Sequence, residues 1–248
     1  MLVHGFTATA DEMRPLGDAL AGAGFHVIGV QLPGHGTEPD ALAGVGAAEW
    51  LAAVEGAIDA LRREGRSVAV AGMSMGALLA LVAAAERRQP VAALVLCGTA
   101  LTLTNRWIQW LPVVERIPGV ARRWPLIPRG GMRGISDPAG RTASPTYDAI
   151  PWRAARELLA LIDRARAVLP RVTQPVLALH GREDRTVPPS VLDLLEKRVG
   201  TTTFEAHVLE RSWHVITMDV ERARVAELAI DFLERVEGAP PGRAEPTV

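Results

Sequence analysis

A short apolar run, Ser67-Val68-Ala69-Val70-Ala71, leads into Gly72-Met73-Ser74-Met75-Gly76 and then into an Ala/Leu-rich stretch from Ala77 to Ala85. Strand, tight turn and helix in that order commit the chain to layered α/β architecture, in which a sheet strand hands over to a helix packed on its face. The glycines two residues to either side of the serine carry no side chain, so strand and helix can approach closely. Such a turn pushes the Ser74 hydroxyl outward. The first turn of the helix offers free backbone N–H groups and a positive dipole end beside it. The same pentapeptide pattern also arises in ordinary βα turns, so its meaning depends on the rest of the chain.

The rest of the chain repeats the alternation. Leu2-Val3-His4 reads as the end of a strand, 11–23 as a helix stopped by Gly24, and 25–30 as a strand. Residues 49–63 form an amphipathic helix with Leu51, Val54, Ile58 and Leu61 on one face. Strands follow at 91–97, 175–179 and 203–209, with helices at 191–199 and 221–236. Strands alternating with helices of this length predict an α/β fold: a mostly parallel sheet covered by helices on both faces. One stretch breaks the pattern. Residues 101–151 carry no strand signal, seven prolines, and tryptophans at 107, 110 and 124, with a fourth just beyond at 152. Long structureless loops are uncommon in compact domains, so 101–151 is expected to be a cap or lid inserted into a core made of 1–100 and 152–237. Its Trp107, Ile108, Trp110 and Leu111 are too apolar for a solvated loop; they suit a substrate pocket or a contact between copies of the chain. The Pro/Gly-rich stretch 238–248 is expected to be disordered.

Composition excludes several function classes. A length of 248 residues with 48% apolar residues suits one α/β domain with an insertion. A net charge of −1 gives no general attraction to nucleic acid or anionic membrane. No apolar stretch reaches a membrane span. The single cysteine, Cys97, ends an apolar run and reads as a buried, inert thiol. With no signal peptide apparent, the cytoplasm is the default location. No His-x-x-x-His spacing occurs, so neither metal nor other cofactor is expected.

A serine hydroxyl is a poor nucleophile until a base takes its proton and an acid fixes the base. In the α/β-hydrolases, which carry their serine on a strand–turn–helix that this one resembles, the acid and then the histidine follow later in the chain. Asp184 fits the acid, in the loop after the strand ending at His180-Gly181; Glu183 is its neighbouring competitor. His214 fits the base, in the loop after the 203–209 strand. Both stand at carboxyl ends of strands, where open α/β sheets hold ligands. The remaining histidines have duller readings: His4 orders its loop by hydrogen bonding, His35 sits in a Gly-rich turn, His180 caps a strand, and His26 and His207 lie within strands. An oxyanion needs two preorganised donors. Those nominated are the N–H of Met75, directly after the serine, and that of Phe6 in the loop His4-Gly5-Phe6-Thr7.

Taken together, Leu2-Val3-His4-Gly5-Phe6-Thr7 with Met13-Arg14-Pro15-Leu16, Leu32-Pro33-Gly34-His35-Gly36-Thr37, the 72–76 elbow, Asp184 to Pro189 and Ser212 to Asp219 resemble the serine α/β-hydrolases, and more narrowly the bacterial monoacylglycerol lipase and small carboxylesterase group. The resemblance implies Ser74 as nucleophile, Asp184 as acid, His214 as base, Phe6 and Met75 as oxyanion donors, and a helical cap over an apolar acyl tunnel. Trp107, Ile108, Trp110 and Val187 are the residues expected to line that tunnel. Two departures stand out. The chain starts almost inside its first strand, so one or two upstream edge strands of the family are expected to be missing. Where family lipases carry a cap glutamate that binds glycerol hydroxyls, this chain has Asp148, one methylene shorter.

The expectation is a hydrolase of carboxylic esters with an apolar acyl chain. Its partner would be a small-molecule ester, with no nucleic acid and no integral membrane segment, and a homo-oligomer through the cap is possible. A thioesterase or an amidase/peptidase on the same triad, or a catalytically silent binding protein on the same fold, are the competing readings.

Overall fold

The structure, a computed structural model, describes residues 1–86, 91–105, 108, 110–128, 134–144 and 146–237. The tail 238–248 and Trp107 lie outside the described residues. Strands β1 (Leu2–Val3), β2 (Gly29–Val30), β3 (Val70–Met73) and β4 (Leu94–Cys97) belong to one sheet. Between β4 and the later strands stand two short strands, β5 (Leu126–Pro128) and β6 (Ala149–Pro151). The main sheet is completed by β7 (Val176–Gly181) and β8 (Phe204–Leu209). Its order is β2-β1-β3-β4-β7-β8, and every neighbouring pair is parallel.

Alternation along the strands divides the core in two. Val70, Leu94, Leu96, Val176 and Ala178 face one side; Ala71, Val95, Cys97, Leu177 and Leu179 face the other. The first side is covered by helices α2 (Ala47–Arg63) and α3 (Met75–Glu86), and the second by α1 (Arg14–Gly22). The segment after β4 carries the short helices α4 (Leu111–Val114), α5 (Val120–Arg123) and α6 (Pro138–Ala143). Helices α7 (Trp152–Val168) and α8 (Val191–Arg198) join α2 and α3, and α9 (Arg222–Glu237) joins α1. Every residue of α3 from Met75 to Ala84 is buried, because α2 and α7 pack against it on its outer side. A run of alanines there lets the helices come close.

The expected layered fold is present, with four differences. The 25–30 strand is shorter: Leu2 N–H donates to Ile28 O at 2.8 Å, but only Gly29 and Val30 find ladder partners, since β1 itself is two residues long. His26 is therefore exposed and outside the strand. The stretch expected to lack strands contains the β5–β6 pair, joined antiparallel with Leu126 opposite Pro151 and Ile127 opposite Ile150. Their prolines and three-residue length erase the period-2 signal on which strand reading depends. The fourth difference is α7, for which the sequence reading has no element; its buried Ala154, Ala155, Leu161, Ile162, Ala165 and Val168 follow helical spacing.

Residues on 110–124 hold four of the large exposed apolar side chains, Trp110, Val113, Ile117 and Trp124. No helix among the described residues is long and apolar enough to cross a membrane.

Candidate active site

The strand order sets the position of the site. The connection leaving β1 runs to β2 on one side, and the connection leaving β3 runs to β4 on the other. Neighbouring strands whose connections part in this way leave a crevice beyond their carboxyl ends. Gly5 and Phe6 follow β1 and Ser74 follows β3, so both line that crevice.

Ser74 sits at φ +55°, one of two non-glycine residues with positive φ among those described. This left-handed conformation is costly for a side-chain-bearing residue. It is held by Ser74 N–H donating to Cys97 O at 2.8 Å and by tight glycine packing. A Cβ on Gly72 would lie 2.4 Å from the Gly76 carbonyl, and one on Gly76 would lie 2.1 Å from Val3 O. Both contacts are with backbone, so only glycine fits.

Two loops bring the polar groups together. His214 Nε2 lies 2.9 Å from Ser74 Oγ, and His214 Nδ1 lies 2.7 Å from Asp184 Oδ2. A carboxylate only accepts, so Nδ1 carries the proton and Nε2 is free to accept from the serine hydroxyl. The other carboxylate oxygen of Asp184 accepts from Thr186 N at 2.7 Å and Val187 N at 3.0 Å. Burial works against the Asp184 charge, but the neighbouring His214 and His180 outweigh it, and the carboxyl is held well below the usual carboxylate range. Asp184 and His214 are each 7% exposed. The competitor Glu183 is exposed.

His180 does more than end a strand. It is fully buried, with Nε2 3.0 Å from Val187 O and 3.1 Å from Asp184 Oδ2. Val187 O only accepts, so Nε2 carries the proton, which fixes the tautomer. His4 orders its loop as expected: Leu32 N donates to His4 Nε2 at 3.1 Å, which leaves Nδ1 to donate to Gly5 O at 2.8 Å. Burial pushes both His4 and His35 down to about 4. His35 donates from Nδ1 to Pro33 O at 3.0 Å and meets the rings of His4, Phe6 and Trp50 edge-on.

A cavity of about 430 Å³ opens over Ser74 and His214. Gly5 and Phe6 line it on the β1 side; Leu103, Ile108, Leu111, Ile127, Ile150 and Leu158 form an apolar wall. Of the side chains expected to line a tunnel, Ile108 does so. Asp148 and Trp110 are exposed and not among the lining residues, and Val187 is buried behind Asp184. Asp148 precedes β6, whose pairing with β5 brings Ile150 to the cavity instead. Met75 is buried at the start of α3, where a helix's first N–H groups have no intrahelical acceptor.

Two carboxylates escaped the sequence reading. Glu12 is buried on the cavity wall, and its Oε2 accepts from Gly5 N at 2.6 Å. Asp219 is fully buried beside the His214 loop. Both lie within or next to motifs singled out above. What marks them is backbone N–H groups distant in sequence, which no local pattern reveals. Burial, with the Glu12 charge nearby, pushes the Cys97 thiol up to about 12, so it stays protonated.

Comparison with known proteins gives the family and the fold. Residues 1–221 match the family described as serine aminopeptidase, S33. A thermostable monoacylglycerol lipase of Bacillus sp. (strain H-257) is 28% identical, covering 96% of this chain and 91% of that one. A carboxylesterase of Bacillus subtilis (strain 168) is 24% identical over 96% of this chain and 92% of its own. Among solved structures, one from work on LipS and LipT, two metagenome-derived lipolytic enzymes, superposes with a TM-score of 0.83 at 28% identity, covering 94% of this chain and 92% of that one. With the elbow, the parallel sheet and the crevice in hand, the chain belongs to the serine aminopeptidase S33 family and has an α/β-hydrolase fold.

Proposed function

We propose that this protein hydrolyses carboxylic esters through an acyl-enzyme, with Ser74 as nucleophile, His214 as general base and acid, and Asp184 as the group that orients His214. The observation that carries the proposal is the continuous chain of hydrogen bonds from Ser74 Oγ through His214 to Asp184, at 2.9 and 2.7 Å. In the first half-reaction Oγ attacks the ester carbonyl carbon while Nε2 takes the hydroxyl proton. The carbonyl π pair moves onto oxygen, where the N–H groups of Phe6 and Met75 would receive it. The tetrahedral species collapses, the C–O bond to the alcohol breaks, and the leaving oxygen takes the proton from Nε2. Water then repeats the sequence on the acyl-enzyme and releases the acid. Asp184, ionised at neutral pH, stabilises the imidazolium that appears twice in the cycle.

The apolar wall formed by residues from 103 to 158 favours an aliphatic or aromatic acyl chain. Most of those residues belong to the segment 101–151, which we read as a cap over the crevice. The monoacylglycerol lipase and carboxylesterase relatives support an ester over an amide; the family description makes an aminoacyl amide the alternative to test.

Ser74→Ala is expected to lower hydrolysis of a p-nitrophenyl ester by at least about 10³-fold while the thermal melt is kept. A fluorophosphonate is expected to label the native chain and not the variant. Retained ester turnover in the variant rejects the nucleophile, and faster turnover of aminoacyl p-nitroanilides than of esters moves the assignment to peptide bonds.

A further inference from the structure

We propose that Asp219 is a positioning residue for His214, one carboxylate that clamps the histidine loop to the stretch 134–137 and so ties the proton relay to the segment over the crevice. The proposal rests on the reading of His214 as the base. Asp219 is fully buried and accepts five hydrogen bonds. Its Oδ2 accepts from Trp213 N, the residue before His214, at 2.7 Å. Its Oδ1 accepts from Ser136 N at 2.9 Å, Ser136 Oγ at 2.5 Å, Asp137 N at 2.9 Å and Val220 N at 2.9 Å. These five donors come from two stretches more than 75 residues apart, 213–220 and 136–137.

The duller reading makes Asp219 a helix-entry residue for α9. That accounts for Val220 N and for Arg222 N donating to Asp219 O at 3.0 Å, but not for Trp213, Ser136 or Asp137. The stretch it captures also touches the histidine directly. Val215 N donates to Gly134 O at 2.8 Å, and a Cβ on Gly134 would lie 3.0 Å from His214 Cβ. A Cβ on Gly98 would likewise lie 3.0 Å from His214 O. Gly98, just past β4, and Gly134, on the returning stretch, thus both lie close against His214, with space for neither to carry a side chain. The backbone bonds to Asp219 fix the distance between the stretch and the loop. Burial acts against the Asp219 charge, but the donors from Ser136, Trp213 and Asp137 outweigh it, and the carboxyl is held below its usual range. It remains an ionised acceptor under the conditions in which His214 would work.

The test compares Asp219→Asn, Ser136→Ala and Arg222→Gln. The last cuts the exposed Arg222–Asp137 ion pair between the same two regions and leaves the carboxylate of Asp219 in place. Three quantities are read on folded protein: kcat and KM for a p-nitrophenyl ester per fluorophosphonate-titrated site, the acid limb of the pH–rate profile, and the low-field proton resonance of His214 Nδ1–H. Asp219→Asn is expected to lower kcat by about 10-fold or more with KM little changed, since a small displacement of a reacting pair is enough for such a loss. It is also expected to broaden or shift the low-field resonance and move the acid limb. Ser136→Ala moves all three the same way by less, and Arg222→Gln moves none. If Asp219→Asn melts cooperatively with kcat, acid limb and resonance unchanged, the role is structural only and the proposal fails. If Asp219→Asn does not fold, Ser136→Ala carries the test, and unchanged values there overturn it. An equal loss in Arg222→Gln also overturns it, because general tethering then explains the effect. The resonance does not depend on turnover, so its shift separates failure of the clamp from failure of the esterase reading.

Discussion

Each member of the Ser74–His214–Asp184 chain stands just past the end of a strand, and each carries a local mark: a glycine-flanked serine, an aspartate before Val187-Pro188, a histidine in a loop before the last helix. These marks made the three residues legible from sequence. Glu12 and Asp219 were not, because their acceptor roles are defined by N–H groups elsewhere in the chain. The buried histidines of the first loop carry a pH prediction. His4 and His35 are pushed down from 6.5 to about 4, so the folded state resists protons that the unfolded chain takes up. Above pH 6.5 neither state is protonated and the penalty is absent. Between about 6.5 and 4 the unfolded state binds more protons and stability falls; below 4 their contribution levels off. The loss is expected to be at most about 3 kcal/mol per histidine. Asp184, depressed below its ordinary value, adds its own loss only at still lower pH. Urea unfolding followed across this range reads the slope, and His35→Gln is expected to reduce it by roughly half.

At the scale of elements, helices and strands that pack on the main sheet were readable because burial marks them: β4 and β7, buried at every residue, read as continuous apolar runs, and α2 carries a period of 3.6. The same rule holds for α7, whose apolar spacing is regular and which opens the 152–237 part of the core. The β5–β6 pair gives no such signal, because it is fixed by a partner more than 20 residues away in a three-residue ladder. The elbow glycines give a sharp test of element packing. Gly76→Ala places a methyl group 2.1 Å from Val3 O and 2.7 Å from His4 O, and is expected to destabilise the protein by about 2 kcal/mol or more. Gly56 lies exposed within α2 with nothing within 4 Å of a new Cβ, so Gly56→Ala is expected to stabilise by up to about 1 kcal/mol. Paired thermal melts decide both.

For the whole molecule, the sheet order places the crevice between β1 and β3, and residues of the segment after β4 line it with apolar side chains. The cavity wall then sets an expectation for substrates. Each methylene of the acyl chain that stays within the wall is expected to raise kcat/KM by up to about fourfold, the equivalent of about 0.8 kcal/mol. A series of p-nitrophenyl esters from acetate upward measures this, and a flat series shows that the acyl chain lies outside the cavity. The parts of the site come from residues 5–12, 74–75, 184 and 214. The serine turn is wedged against residue 3, and the residues on either side of His214 are hydrogen-bonded to residues 134 and 219. Catalysis therefore reports finished assembly. If the proposed relay is the catalyst, a collapsed chain with most of its helices formed is expected to hydrolyse nothing, and turnover regained after dilution from denaturant is expected to count only molecules in which the last strand has docked.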